Sequence, residues 1–377
     1  MFEKAKALER RGEKLIHFEL GEPDFDTPKH IKEAAKQALD EGCTHYAPNA
    51  GILELREAIA EKLKKENNFE ADPVTQICVT VGSQEAAYLA IMCTIEAGDE
   101  VLITDPSYYT YRNCVHMAGG KPIFVPVKKE NEFRLDPDDL EKMITSKSKM
   151  VIINSPCNPT GAVMAKDDLQ AIDELAIKHN LLVLSDEIYE KITYDGQKHY
   201  SIAALSKEPG RIITVNGFSK AYAMTGWRVG YVVASKMIIS EVVKMQQSAL
   251  SSVTTFAQKG AVAALRGPQE PVLNMLKEFE KRREVIIDGL NKIEGFSVIK
   301  PKGAFYVFVD VRKLGKPSLE VSDYLLNEAK VVTTPGAAFG ENGEGYIRIS
   351  YATSIENIKE GLSRIKQAVE KLRKHHY

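Results

Sequence analysis

The chain has 377 residues, 44% hydrophobic and 27% charged, with a formal net charge of −2 from 50 basic and 52 acidic side chains. That is length for roughly two to three domains and a sizeable core; the balance excludes wholesale disorder and leaves no single-sign field for nucleic acid or a membrane surface. The five cysteines (Cys43, Cys78, Cys93, Cys114, Cys157) are scattered and never spaced CxxC, residues 1–13 are charged throughout, and no run of about 18 apolar residues occurs, so a soluble cytoplasmic protein with neither disulfide framework nor metal site is expected.

In chain order, a strand is predicted at Leu15. Continuous apolar, β-branched runs then follow at 76–81, 100–104, 121–125, 150–154, 181–185, 211–215 and 230–234, with amphipathic stretches such as 83–96 and 166–179 between them. Runs that are apolar rather than alternating suit strands buried on both faces. They predict an α/β fold whose large domain holds a mostly parallel seven-stranded sheet covered by helices.

After Gly267-Pro268 the pattern changes. A long helix is predicted over 272–293, strands over 296–299, 304–309 and 346–350, and a helix over 318–329. A last helix is expected from Thr353, where Thr353-x-x-Glu356 is a candidate capping box and Ile355, Ile358, Leu362, Ile365 and Val369 recur at helical spacing. Its lysine-rich end, 371–375, reads as a solvated tail. The expected domains are 28–267, large, and a smaller α+β domain built from both chain ends, 1–27 and 268–377.

The residues that carry chemistry fall at strand ends. Lys220 stands just past a buried strand within Gly217-Phe218-Ser219-Lys220-Ala221-Tyr222-Ala223-Met224-Thr225-Gly226-Trp227-Arg228-Val229-Gly230. A lysine whose pKa is depressed by burial and cationic neighbours can form a Schiff base with an aldehyde cofactor, and an arginine such as Arg228 can grip a phosphate in bidentate fashion. Taken singly, most loop lysines are only solvated. Asp186 ends the run Leu184-Ser185-Asp186, at a strand end where α/β folds place ligand-binding groups, and can serve there or merely cap a helix; Tyr189 lies three residues on. Asn158 belongs to Asn158-Pro159-Thr160-Gly161, an ordinary turn by itself. Gly82-Ser83-Gln84 leads from strand to helix, where free N–H groups and the helix dipole favour a phosphate. Tyr108 is one of three close tyrosines, and Arg348 sits in the alternating strand 346–350 on the face of Tyr346 and Ser350.

Over all its positions, the stretch 217–230 resembles the lysine-attachment signature of class I aminotransferases. The other motifs occur in the order of the aspartate aminotransferase family, fold type I, from about Leu15 to Leu372. The resemblance implies pyridoxal 5'-phosphate on Lys220, with Asp186 and Tyr189 also catalytic. It places Ser83, Gln84, Ser219 and Arg228 at the phosphate, Asp186 at the ring nitrogen, Tyr189 and Asn158 at the phenolic oxygen, and Tyr108 on the ring face. Gly21, Tyr108, Asn158 and Arg348 would receive the substrate. Tyr46 of Tyr46-Ala47-Pro48-Asn49 would reach the phosphate of a neighbouring subunit, which implies a homodimer with shared active sites.

The implied activity is transamination between an L-amino acid and a 2-oxo acid, with glutamate and 2-oxoglutarate as the expected partner pair. Two departures stand out. Gly217 replaces a serine that many relatives place three residues before the lysine, and Gln84 stands where relatives selective for dicarboxylic substrates often carry a basic side chain. An aromatic or alanine-type aminotransferase and a carbon–sulfur β-lyase use the same cofactor residues and stay open at this point. A ligand-sensing module attached to a DNA-binding domain is disfavoured by the slightly acidic charge.

Overall fold

The computed structural model describes residues 2–374. Thirteen strands are found among them: β1 Ile16–His17, β2 Ile77–Thr80, β3 Glu100–Asp105, β4 Lys121–Pro126, β5 Ser148–Asn154, β6 Leu182–Asp186, β7 Ile212–Gly217, β8 Gly230–Val233, β9 Ser297–Val298, β10 Tyr306–Asp310, β11 Val331–Val332, β12 Thr334–Pro335 and β13 Tyr346–Ser350. β2 to β8 are the seven continuous apolar runs. They form one sheet in the order β2-β8-β7-β6-β5-β3-β4, in which β8 runs antiparallel to both its neighbours and every other pair is parallel. The fold is the expected α/β arrangement with a mostly parallel seven-stranded sheet.

The reversal of β8 matters for the site. In a parallel sheet the carboxyl ends of the strands share one edge, and ligands settle there. Because β8 points the other way, the residues just before its start arrive at that same edge. Arg228 is therefore brought to the ends of β2, β5, β6 and β7 by topology.

Helices cover both faces of the sheet, and their apolar sides merge with it. Ala86, Leu89 and Ala90 of the helix Gly82–Met92 pack with Ile103, Leu184 and Val232 in one layer, while Leu169 and Ile172 of Lys166–Lys178 pack with Val151 and Val183 in another. A third core joins the two ends of the chain: Phe18, Phe279, Phe305, Tyr306, Tyr351, Ile365 and Val369 are all buried in it. Each such side chain contributes on the order of 1.5–3 kcal/mol relative to exposure. β1 pairs in parallel with β11, and the Phe18 carbonyl accepts from the Ser350 N–H at 2.7 Å. The N-terminal segment is thereby stitched to the C-terminal four-stranded antiparallel sheet, ordered β12-β13-β10-β9.

Several boundaries differ from expectation. The helix expected over 83–96 ends at Met92, because 96–99 form a turn closed by Asp99: its carboxylate accepts the Glu96 N–H and its own N–H donates to the Glu96 carbonyl. The helix expected over 318–329 is Ser318–Tyr324 followed by a wide turn, Leu325–Ala329, that closes on the left-handed Lys330. The last helix, Ile355–Lys374, is capped by Ser354 and not Thr353: Ser354 Oγ accepts the Asn357 N–H at 3.1 Å, and Thr353 Oγ1 instead takes the Asn357 side-chain amide at 3.0 Å. Lys371 and Lys374 belong to that helix, whereas His375 lies outside the described residues. A helix at Phe2–Glu9 had no counterpart in the apolar pattern, since its buried anchorage is little more than Ala5 against Leu326 and Val332.

Candidate active site

At the carboxyl edge of the large sheet opens a cavity of about 330 Å³. Its lining includes Gly21, Ser83, Gln84, Tyr108, Asn158, Asp186, Tyr189, Ser219, Lys220, Arg228 and Arg348. Every candidate named from the sequence is thus gathered in one place except Tyr46. That tyrosine is 91% exposed and lies away from this cavity.

Lys220 follows β7 by three residues, and its Nζ donates to the Gly21 carbonyl at 2.5 Å. The ammonium lies 5.8 Å from the Tyr189 ring centroid and 6.0 Å from that of Phe305. Burial lowers its pKa to about 8, from the ordinary 10.5; nearby Glu22 opposes the shift, while Arg348 and Arg228 add to it. An amine with that pKa is a far better nucleophile and base near neutrality than a solvated lysine.

Asp186 closes β6. Its carboxylate accepts from the Tyr111 hydroxyl at 2.6 Å and from the Ile188 N–H at 3.1 Å, and its carbonyl accepts from Asn154 Nδ2 at 3.1 Å. Burial raises its pKa to about 6, against the pull of the Tyr111 and Ile188 hydrogen bonds. It is therefore still an anion at neutral pH. The three tyrosines part company here: Tyr111 turns to Asp186, Tyr109 is 47% exposed, and Tyr108 packs edge-on to Tyr111 with its ring against the cavity.

The turn after β2 is shaped for an anion. Gly82 has φ +75°, and a Cβ there would lie 2.5 Å from Arg228 Nη2. The guanidinium occupies the space glycine leaves, held by the Thr225 carbonyl at 2.9 Å and the Val81 carbonyl at 3.4 Å. Ser83 and Gln84 open the helix Gly82–Met92, so their N–H groups have no helical acceptor behind them. The absence of a side chain at residue 217 also has a reason. A Cβ on Gly217 would meet the Gly230 Cα at 3.0 Å and the Val229 carbonyl at 3.1 Å, so a serine there requires β7 and β8 to part by a few tenths of an ångström.

Across the cavity, Arg348 of β13 is buried. Its Nη1 donates to Asn158 Oδ1 at 2.9 Å and its Nη2 to the Glu19 carbonyl at 2.5 Å, while Nε is buried without a partner. The guanidinium lies over the rings of Tyr306 and Phe339, with centroids at 4.5 and 5.0 Å. Asn154 Oδ1 accepts the Asn158 N–H at 2.8 Å and so fixes that turn. The Tyr189 hydroxyl is 2.7 Å from that of Tyr306. Tyr111, Asn154, Tyr306 and Glu19 were not singled out from the sequence. Asn154 and Tyr306 lie in or at the end of predicted strands, but only the tertiary packing shows which way they face.

Beneath the site a buried polar cluster joins two strand-end loops. Glu190, just beyond Tyr189, binds Lys62 Nζ, accepts from Asn67 Nδ2 at 2.7 Å and from Asn216 Nδ2 at 2.8 Å. Asn216 lies near the end of β7, four residues before Lys220. Burial pushes the Glu190 carboxyl up, but neighbouring Lys62, His199 and Asn67 outweigh it and hold it at about 2. Glu187, Glu190 and His199 bring ligand-type atoms within 4.8 Å of one another, yet these carboxylates are already engaged by Lys62, Asn67, Asn216, Ser185 and Ser201.

Comparison with known proteins agrees with this geometry. The sequence model of the family described as aminotransferase class I and II matches residues 13–365. An aspartate aminotransferase of Pyrococcus abyssi is 51% identical over 94% of this chain and 92% of its own length. The aromatic-amino-acid aminotransferase 2 of Thermococcus litoralis is 48% identical over 98% of this chain and 94% of its own. The crystal structure of an aromatic aminotransferase from Pyrococcus horikoshii superposes with a TM-score of 0.94 at 48% identity, covering 98% of this chain and 99% of that one. The chain belongs to the class I and II aminotransferases, enzymes that move an amino group between an amino acid and a 2-oxo acid.

Proposed function

We propose that the cavity binds pyridoxal 5'-phosphate through Lys220 and transfers the amino group of an acidic L-amino acid, with glutamate and 2-oxoglutarate as the partner pair. The observation that carries this reading is the opening of three groups onto one cavity: the low-pKa amine of Lys220, the buried carboxylate of Asp186, and the Gly82 turn filled by Arg228. When bound, the cofactor supplies an aldehyde carbon and a protonated pyridine ring that takes up the electron pair left at the substrate Cα.

The chain's own residues do the rest. Ser83, the Gln84 N–H, Ser219 and Arg228 would hold the phosphate, and Asp186 would keep the ring nitrogen protonated. Tyr108 would cover the ring, and Tyr189 and Asn158 would bond its phenolic oxygen. Arg348 takes the substrate carboxylate with its fork geometry, assisted by Gly21, and so fixes the Cα–H bond toward Lys220. The Lys220 amine, when not bonded to the cofactor, would stand ready as the base that takes that proton.

The assignment of 28–267 as the large domain and of 1–27 with 268–377 as the small one is supported by the β1–β11 pairing. A homodimer is supported by the exposure of Tyr46, which lies outside the cavity of its own chain. The five unpaired cysteines agree with a cytoplasmic setting, and no helix among the described residues is long and apolar enough to cross a membrane.

An aromatic donor is the second reading, favoured by uncharged Gln84 and by the rings of Tyr108, Tyr109 and Tyr306 around the cavity. The test is the visible absorption of the cofactor-loaded protein on adding glutamate, aspartate, alanine, tyrosine and cystathionine singly. Conversion of the lysine-bound band by glutamate or aspartate faster than by tyrosine supports the acidic reading. Fastest conversion by tyrosine selects the aromatic one. Failure to form any such band with added pyridoxal phosphate would refute the Lys220 assignment.

A further inference from the structure

Behind Arg348 lies a row of ionisable groups for which the chemistry above has no task. Glu19 lines the same cavity as Arg348, and its side chain is only 7% exposed. Its backbone carbonyl accepts from Arg348 Nη2, its Oε1 lies 2.8 Å from His17 Nδ1, and its Oε2 is buried without a hydrogen-bond partner. His17 projects to the same side of the extended segment two residues earlier and is 22% exposed. Its other nitrogen, Nε2, lies 2.9 Å from Glu9 Oε1 of the helix Phe2–Glu9, and Glu9 in turn binds Lys6 Nζ at 2.9 Å. The strand paired with this segment, β11, presents uncharged Val331 and Val332.

A buried carboxylate with one oxygen unbonded, on the residue whose carbonyl grips the guanidinium, puts negative potential where a substrate carboxylate must arrive. A protonated His17 offsets it. A neutral imidazole carries one proton and cannot donate to both carboxylates at once. Glu9 then keeps Lys6, whereas the Glu19 side chain has its hydrogen bond with His17.

We propose that His17 and Glu19 form a charge pair that sets how tightly Arg348 holds the substrate carboxylate: tightly while His17 is a cation, more weakly once it is neutral. This rests on the reading of Arg348 as the carboxylate-binding group. The hydrogen bond with Glu19 leads the rise of the His17 pKa above its ordinary 6.5, with Glu9 adding to it and burial opposing. The cationic form therefore persists to higher pH than in a free histidine, and the loss of affinity comes as pH rises past that raised value.

The test uses the cofactor-loaded protein and two readouts across about pH 6 to 9, the range over which a raised histidine titrates. One is the KM and kcat for the amino donor. The other is the dissociation constant of 3-phenylpropanoate by calorimetry, a carboxylate probe with no amine of its own to titrate. In the parent protein KM and the probe constant rise roughly fivefold across the window, while the kcat profile is the same in the parent and in the His17 and Glu19 variants. His17→Gln holds both at the weak value throughout, and the isosteric Glu19→Gln holds both at the tight value. Should Glu19→Gln fail to fold, Glu19→Thr carries the same expectation.

Parent-like pH profiles in the His17 and Glu19 variants, with unchanged melting temperatures, overturn the proposal. So does a fall in kcat that matches the rise in KM. Arg348→Lys separates the two levels: if it binds the probe as well as the parent does, the reading of Arg348 itself fails. If it loses the probe while the other variants keep the parent profile, only the charge pair fails.

Discussion

Lys220 shows how far a single residue's chemistry depends on its surroundings. Its folded pKa of about 8 lies below the ordinary 10.5, so the folded protein binds fewer protons than the unfolded chain between these values. Its contribution to stability therefore increases as pH rises from about 8 to about 10.5, the reverse of a lysine gaining an acidic partner. In cofactor-free protein, the rate of imine formation with added pyridoxal phosphate is expected to rise through about pH 8 and then level off. A midpoint near 10.5, read by stopped-flow absorbance, would show that burial leaves the amine unaffected. Lys220→Ala is expected to abolish turnover, and near-normal transamination by that variant would overturn its role. At Gln84, exposed at the cavity rim, replacement by Ala is expected to change the ratio of kcat/KM for acidic over aromatic donors. An unchanged ratio would remove this residue from substrate selection.

Elements position these groups through local rules that each carry a measurable cost. Gly82 combines a left-handed backbone with the closeness of Arg228. Gly82→Ala is expected to lose roughly 1–2 kcal/mol of stability from the backbone alone and to weaken cofactor retention, since the guanidinium must move. Equilibrium dialysis of the cofactor together with thermal melting distinguishes the two effects. The Lys62–Glu190 pair supports a second prediction. Glu190→Leu leaves a buried ammonium without its counter-ion and is expected to cost about 3–5 kcal/mol in urea unfolding. The double variant Lys62→Met/Glu190→Leu should recover much of that, because both charges leave together. Equal destabilisation in single and double variants would mean that the contacts with Asn67 and Asn216, not the charge pair, hold the loops.

At the scale of the molecule, the cavity is built from segments far apart in sequence. Gly21 lies near one end of the chain and Arg348 near the other, and the β1–β11 pairing with the Phe18–Ser350 hydrogen bond brings them across one opening. Tyr46 does not join them within one chain. If it serves a second copy, co-assembly of a Lys220→Ala chain with a Tyr46→Phe chain produces one site with both lesions and one with neither. Activity in the mixture above that of either parent, together with sedimentation as a dimer, is the expected outcome. A monomer in sedimentation, or no recovery, would place the Tyr46 function elsewhere.

The seven buried strands were legible because each is a continuous apolar run that only a two-sided sheet can bury, and nine of the cavity-lining residues were legible because they stand in short motifs at the ends of those runs. Capping was less so: Thr353 and Ser354 are both able to cap, and the choice fell to whichever oxygen met the Asn357 N–H. The sequence by itself determined the fold class and singled out the lysine, carboxylate and arginines that the cavity gathers, since their identities and local settings are written along the chain. Tertiary structure alone decided that β8 reverses and brings Arg228 to the Gly82 turn. It also decided that Tyr111 and not Tyr108 bonds Asp186, and that His17 and Glu19 stand behind Arg348. Those relations depend on which distant segments pack together, and neither period nor spacing along one chain encodes that.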